Sequence, residues 1–231
     1  MSKQDTISKL RTGSPQLSVG TLTGSMMNQA QEIAILEKSG VNLLHLDVMD
    51  GQAWPKITVG APFLAGLETD LIKDVHLLTV EPEKHIADFV KAGAGIITFQ
   101  IEHCENVAKA LELINSADVL AGLAIYPTTP LTDIQPFLDQ IDVVFVLSIG
   151  PDTGKDTFFD VVAERVERLR DWKPELIIAI DGAVKKDNVA KIAKINSDLI
   201  VTGSAVFDGN DAAKNILDMR SSIASVCGYQ A

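Results

Sequence analysis

One pattern constrains this chain more than any other: eight times over, a short and nearly continuous apolar run precedes a longer segment with helical spacing. The runs are LSVGTL (17–22), VNLLHLD (41–47), DVHLLTV (74–80), GIITFQI (95–101), VLAGLAI (119–125), DVVFVLSI (142–149), ELIIAID (175–181) and DLIVTGSA (198–205). Between them lie helical stretches such as 25–39, EPEKHIADFVKAG, ENVAKALELINS, PLTDIQPFLDQ and TFFDVVAERVERLRDW, with a last helix expected at 211–226. Strands apolar on both faces belong to a parallel sheet covered by helices. Eight such units in 231 residues predict an α/β fold closed into a (β/α)8 TIM barrel, a little shorter than the usual ~250 residues. An open doubly wound sheet competes, but no Gly-rich dinucleotide fingerprint follows the first strand to support it. The whole chain, 1–231, reads as a single barrel domain, with 1–16 a polar N-terminal extension.

Charge and cysteine content narrow the function classes. Lys plus Arg number 20 against 31 acidic residues, a formal net charge of −11. Such a chain has no overall attraction for nucleic acid or anionic membrane. Cys104 and Cys227 are its only cysteines and read as free thiols of a reducing compartment. The start, MSKQDTISKLRTGSPQ, lacks an apolar signal core, and no apolar run approaches the ~18 residues of a membrane span. The expectation is a soluble, cytoplasmic protein.

Chemistry collects at the C-terminal strand ends of a parallel barrel. There the sequence places His45 and Asp47, His76, Gln100 and Glu102, Tyr126, Ser148, Asp181, and Gly203 with Ser204. At strand periodicity His45 and Asp47 face the same side of the sheet. Singly, His76 reads as a satisfied core histidine and Asp181 as a loop cap. Together at equivalent strand ends, two imidazoles and two carboxylates suit a divalent metal, with zinc, iron, manganese and cobalt all compatible. DGAV (181–184) and GSAVF (203–207) put small residues after strands seven and eight, where barrels commonly bind phosphate through backbone N–H groups. This selects Gly182, Ala183, Gly203 and Ser204.

LHLDVMDG, VHLLTVEPEKHIADFVKAGAGIIT, GLAIYPTTPL, IDGAV and VTGSAVF, in that order, resemble the blocks of the ribulose-phosphate 3-epimerase family over nearly the whole chain. The resemblance implies a ribulose-phosphate-binding barrel that is a metal-dependent isomerase. It would interconvert D-ribulose 5-phosphate and D-xylulose 5-phosphate by proton transfer through an ene-diolate. By the same resemblance His45, Asp47, His76 and Asp181 bind the metal, Asp47 and Asp181 are also the acid–base pair, and the enzyme is a homo-oligomer acting on a small sugar phosphate.

Several positions depart from the family pattern. The usual PSIL of the first strand is VGTL, with Gly20 where serine contacts substrate. The phosphate loop, usually close to NPGFGGQ, reads GPDTGKD, keeping Gly154 and bringing Lys155 beside an unfavourable Asp152. DGG has become DGA, so Ala183 restricts a backbone that glycine leaves free. Of the methionines over the metal only Met49 remains, Gln100 replaces a histidine, and Trp54 either covers the substrate or packs. These changes keep two alternatives open. One is an epimerase of another ketose phosphate, such as a ketohexose 6-phosphate; the other is a non-catalytic relative that binds metal or sugar phosphate. A related decarboxylase or aldolase fits less well, because its Asp-x-Lys-x-x-Asp lysine is absent.

Overall fold

Eight strands close into one barrel in the computed structural model, which describes residues 2–13, 15–151 and 159–228. They are β1 (Gln16–Gly20), β2 (Leu43–Met49), β3 (Ile72–Leu78), β4 (Ile96–Gln100), β5 (Leu120–Ile125), β6 (Val143–Leu147), β7 (Ile177–Asp181) and β8 (Leu199–Thr202). Each pairs in parallel with the next, and β8 pairs back onto β1 through Gln16 opposite Leu199 and Ser18 opposite Val201. The expected (β/α)8 TIM barrel is therefore present, and the open sheet is excluded.

The two-residue period of the strands sorts their side chains into two cores. Leu44, Leu46, Val75, Leu77, Ile97, Phe99, Val144 and Val146 point outward, under the helices. Leu43, Ile72, Ile96, Leu120, Val143, Phe145, Ile177 and Leu199 point inward and fill the barrel. Both faces are apolar for that reason, and the strands read as unbroken hydrophobic runs.

The outer ring consists of α2 (Gln29–Lys38), α3 (Ala61–Ala65), α4 (Ile86–Lys91), α5 (Val107–Asn115), α6 (Phe159–Trp172), α7 (Val189–Ile192) and α8 (Ala212–Cys227), after an N-terminal α1 (Lys3–Arg11). One expected helix is replaced. PLTDIQPFLDQ forms two 3-10 segments, Leu131–Asp133 and Gln135–Gln140. Pro136 supplies no N–H and disfavours helical backbone before it, so an i→i−4 ladder cannot run through the stretch.

Helix α1 lies within the polar N-terminal stretch. Ser2 and Asp5 form a reciprocal capping box at its start, and Gln16 Nε2 donates to the carbonyls of Lys9, Leu10 and Thr12 at its end. Leu10 is fully buried and joins the inner cluster beside Leu43, Ile72 and Leu199. The helix thus stoppers the N-terminal mouth of the barrel, leaving the other mouth for chemistry. Cys104 and Cys227 are free thiols. Among the described residues no helix is long and apolar enough to cross a membrane.

Candidate metal and substrate site

Register builds the centre of the site. β2 and β3 pair so that His45 lies opposite Asp74 and Asp47 opposite His76, an HLD segment beside a DVH segment. All four belong to the inward-facing set. His45 Nε2 is 3.1 Å from Asp47 Oδ1, and His76 Nδ1 is 3.4 Å from both Asp47 Oδ1 and Asp181 Oδ2, the latter from the end of β7. One donor atom from each of His45, Asp47, His76 and Asp181 lies within 4.8 Å of the others. The imidazoles are buried, while the Asp47 and Asp181 side chains stay 34% and 16% exposed, so the carboxylates face an approaching ligand.

Electrostatics gives this group a demand for positive charge. Burial opposes a charged His76, but Asp181 and Asp47 outweigh it and push its pKa up to about 9. His45 is likewise disfavoured by burial and still raised well above its ordinary value by Asp47 and Asp74. Burial works against an ionised Asp47, yet His45 and His76 hold it far below the usual carboxylate range. His76 Nδ1 is buried and makes no well-formed hydrogen bond, with its two carboxylate neighbours each 3.4 Å away. Two nitrogen and two oxygen ligand atoms around one point, among them a buried nitrogen without a formed hydrogen bond, fit a divalent cation, which would take the place of the protons.

The rings are held from behind. His45 Nδ1 is 2.9 Å from Asp74 Oδ2, which also accepts the Ser18 hydroxyl at 2.7 Å. His76 Nε2 is 3.3 Å from Gln100 Oε1. Phe145 supports both imidazoles from inside the barrel, with ring centroids at 5.8 and 5.3 Å.

A cavity of about 140 Å³ connects His45, Asp47 and Asp181 with the turns after β7 and β8, where Gly182, Ala183, Gly203 and Ser204 form its wall. Gly182 has φ +97°, and a Cβ there would meet Ile149 Cγ1 at 2.7 Å, so the first turn needs glycine. Ala183 follows with φ +51°: the restriction expected of alanine is overcome, at roughly 1–2 kcal/mol of left-handed strain. Ser148 donates to the Gly182 carbonyl at 2.6 Å and steadies this turn. At Gly203 a Cβ would meet Thr23 Oγ1 at 2.8 Å and the Gly20 carbonyl at 2.9 Å, so the second turn lies flush against the end of β1.

Lys185, which sequence reasoning passed over, lines the same cavity and donates to Ser204 Oγ. Its only sequence signal was its place as the first cation after IDGAV. Gly154 and Lys155 lie outside the described residues.

The remaining candidates sit around this centre. Met49 ends β2, donates its N–H to Thr58 Oγ1 and lines a different cavity, with Asp50, Val59 and Pro62. Trp54 is half-buried at the active mouth, packed on the inner cluster with its ring 6.3 Å from that of Tyr126. Glu102 stands apart from the four-residue group and accepts from Tyr126 N and Thr129 Oγ1. Arg165 donates to the carbonyls of Tyr126, Pro127 and Thr129. These two residues brace the β5 loop, and His103 reaches the Tyr126 hydroxyl at 3.3 Å.

Comparison with known proteins gives this geometry a family. The profile of the ribulose-phosphate 3 epimerase family matches residues 16–207. Ribulose-phosphate 3-epimerase from Bacillus subtilis is 34% identical over 198 residues, covering 83% of this chain and 91% of the relative. The enzyme of that name from Escherichia coli K12 is also 34% identical, over 89% of this chain and 94% of its own. Among solved structures, a 3-hexulose-6-phosphate synthase superposes with a TM-score of 0.70 at 17% identity, over 90% of this chain and all of that one, a likeness of fold alone. The extent of these matches, together with the four-residue group at the barrel mouth, makes this chain a member of the ribulose-phosphate 3-epimerase family.

Proposed function

We propose that the chain is a metal-dependent 3-epimerase interconverting D-ribulose 5-phosphate and D-xylulose 5-phosphate. The observation that carries this reading is the approach of two carboxylates from well-separated strands, Asp47 on β2 and Asp181 on β7, to one buried nitrogen, His76 Nδ1. His45, Asp47, His76 and Asp181 would hold a divalent ion, and zinc, iron, manganese and cobalt all suit the donor set. When bound, such an ion supplies positive charge that acidifies the proton α to the substrate ketone.

Asp47 and Asp181 do the proton work. In one direction an ionised carboxylate takes the C3 proton from one face, while the other, protonated beforehand, returns a proton to the opposite face. The enzyme ends with the two protonation states exchanged and is reset by solvent or by the reverse reaction. A single carboxylate could remove and return a proton on its own face, but inversion needs the second. β1 and β8 separate the two strands, so the carboxylates reach the cavity from different parts of the barrel rim, which supports giving each its own face of the substrate.

The phosphate belongs at the other end of the same cavity, against Gly182, Ala183, Gly203 and Ser204, where Lys185 contributes a cation to an otherwise acidic protein. Trp54 and Tyr126 form the apolar rim. The acidic charge and the two free thiols suit a cytoplasmic enzyme.

The test is turnover of D-ribulose 5-phosphate by protein stripped with a chelator and reloaded with each metal in turn. Metal-restored formation of xylulose 5-phosphate, with solvent deuterium entering at C3, is expected. Folded, metal-loaded protein that exchanges C3 only of a ketohexose 6-phosphate would reassign the substrate. Exchange of neither sugar would refute the epimerase.

A further inference from the structure

Asp74 is fully buried inside the barrel, a costly place for a carboxylate. Two groups reach its Oδ2: the Ser18 hydroxyl, which donates at 2.7 Å, and the His45 ring, with Nδ1 at 2.9 Å. Its other oxygen, Oδ1, is buried without a hydrogen-bond partner. A stretch selected for stability alone would place an apolar residue at this depth, as Ile72 two positions earlier does. The group that Asp74 touches supplies the reason for its presence.

An imidazole that binds a metal through one nitrogen is neutral and has one proton left to place, on the other. With Nε2 turned to the metal, that proton belongs on Nδ1, where Asp74 Oδ2, already the acceptor of the Ser18 hydroxyl, lies 2.9 Å away to receive it. Nε2 is then left as a lone pair on the opposite side of the ring, 3.1 Å from Asp47 Oδ1 at the centre of the four-residue group. We propose that Asp74 is the positioning residue of the metal centre: through its hydrogen bond to Nδ1 it selects the His45 tautomer, fixes the ring plane and aims Nε2 into the site. Ser18 holds the carboxylate in place. The second imidazole has a weaker version of the same support, since His76 Nε2 leans on the neutral amide oxygen of Gln100 at 3.3 Å. The two ring donors are therefore unequally supported, by a carboxyl group at 2.9 Å on the His45 side and by an amide oxygen at 3.3 Å on the His76 side.

This inference rests on the metal reading above, and the experiment separates the two. Full-length protein is stripped, and cobalt(II) is titrated in while the visible d–d absorption is followed. Zinc affinity is measured in parallel by competition with a chromophoric chelator, and thermal melts of the stripped forms report folding. Wild type should bind one cobalt per chain. Asp74→Asn keeps the shape but offers no anion, and should bind about 10- to 100-fold more weakly with a shifted cobalt band. Ser18→Ala should lose affinity in the same direction by a smaller factor. An Asp74→Asn protein that melts like wild type and keeps its zinc affinity and cobalt band overturns the inference and leaves the metal centre standing. Should Asp74→Asn not fold, an unchanged band and affinity in Ser18→Ala overturns it equally. A wild-type protein that takes up no cobalt or zinc overturns both readings.

Discussion

Replacing Asp181 by asparagine removes one proposed proton carrier with almost no change of shape, and the structure indicates how the loss should divide. Asp181 Oδ1 accepts the Gly182 N–H at 2.6 Å, a bond that an amide oxygen can keep. The amide nitrogen then stands where Oδ2 was, 3.4 Å from His76 Nδ1, and donates toward the lone pair that a metal needs. Metal affinity should fall, so the variant must be assayed at saturating metal. General acid–base catalysis is worth roughly 10²- to 10⁴-fold, or about 3–5 kcal/mol of barrier, and kcat for epimerisation should drop by at least that factor.

The asymmetry of the loss is more informative than its size. Asp47 remains on β2 with its own face of the substrate. In D2O, the epimer whose C3 proton points to Asp47 should still exchange that proton and return with unchanged configuration. Proton NMR on each pure epimer, with metal content measured on the same sample, distinguishes exchange from inversion. Epimerisation within a few-fold of wild type would remove Asp181 from the chemistry. Equal loss of exchange from both epimers at full metal occupancy would refute the assignment of one carboxylate to each face.

Leu10→Ala should leave turnover at low temperature intact while destabilising the barrel by about 3 kcal/mol, because the emptied volume at the N-terminal mouth is lined by strand residues that cannot move inward. For a chain of this size that is a fall in Tm of roughly 6–12 °C by calorimetry, and an unchanged Tm would show that α1 is no stopper. Lys185→Met should raise KM for the sugar phosphate about tenfold or more with little change in kcat; an unchanged KM would take Lys185 out of phosphate binding. Burial and the nearby Glu83 push the Cys104 thiol up to about 12 from its ordinary 9, which cuts its thiolate fraction at pH 8 about 10³-fold. Cys104 should therefore stay unlabelled by a thiol reagent at pH 8 until the protein is unfolded, and rapid labelling of the native protein would contradict that environment.

How far each feature could be read from the sequence depended on depth along the strand. The barrel was legible because burial of both faces leaves an apolar run wherever a strand occurs. His45, Asp47, His76 and Asp181 were legible because each interrupts such a run near its C-terminal end. PLTDIQPFLDQ has apolar residues at helical spacing, Leu131, Ile134 and Leu138, and only the backbone consequence of Pro136 decides against a helix. In KQDTISKLR, Ile7 and Leu10 are the whole apolar content, too little for a periodicity argument, yet one of them closes the barrel. Lys185 sits in a turn, where no period applies.

Asp74 is the most instructive case. A strand taken to begin at Asp74 puts its carboxylate at a solvent edge, whereas β3 begins two residues earlier at Ile72 and carries Asp74 inside. A boundary shift of two residues changes nothing about which face a side chain occupies, but it changes solvent for core. The information needed was across the sheet: with β2 and β3 in register, HLD beside DVH puts each histidine opposite an aspartate, and a carboxylate paired with His45 has to lie at the same depth as His45.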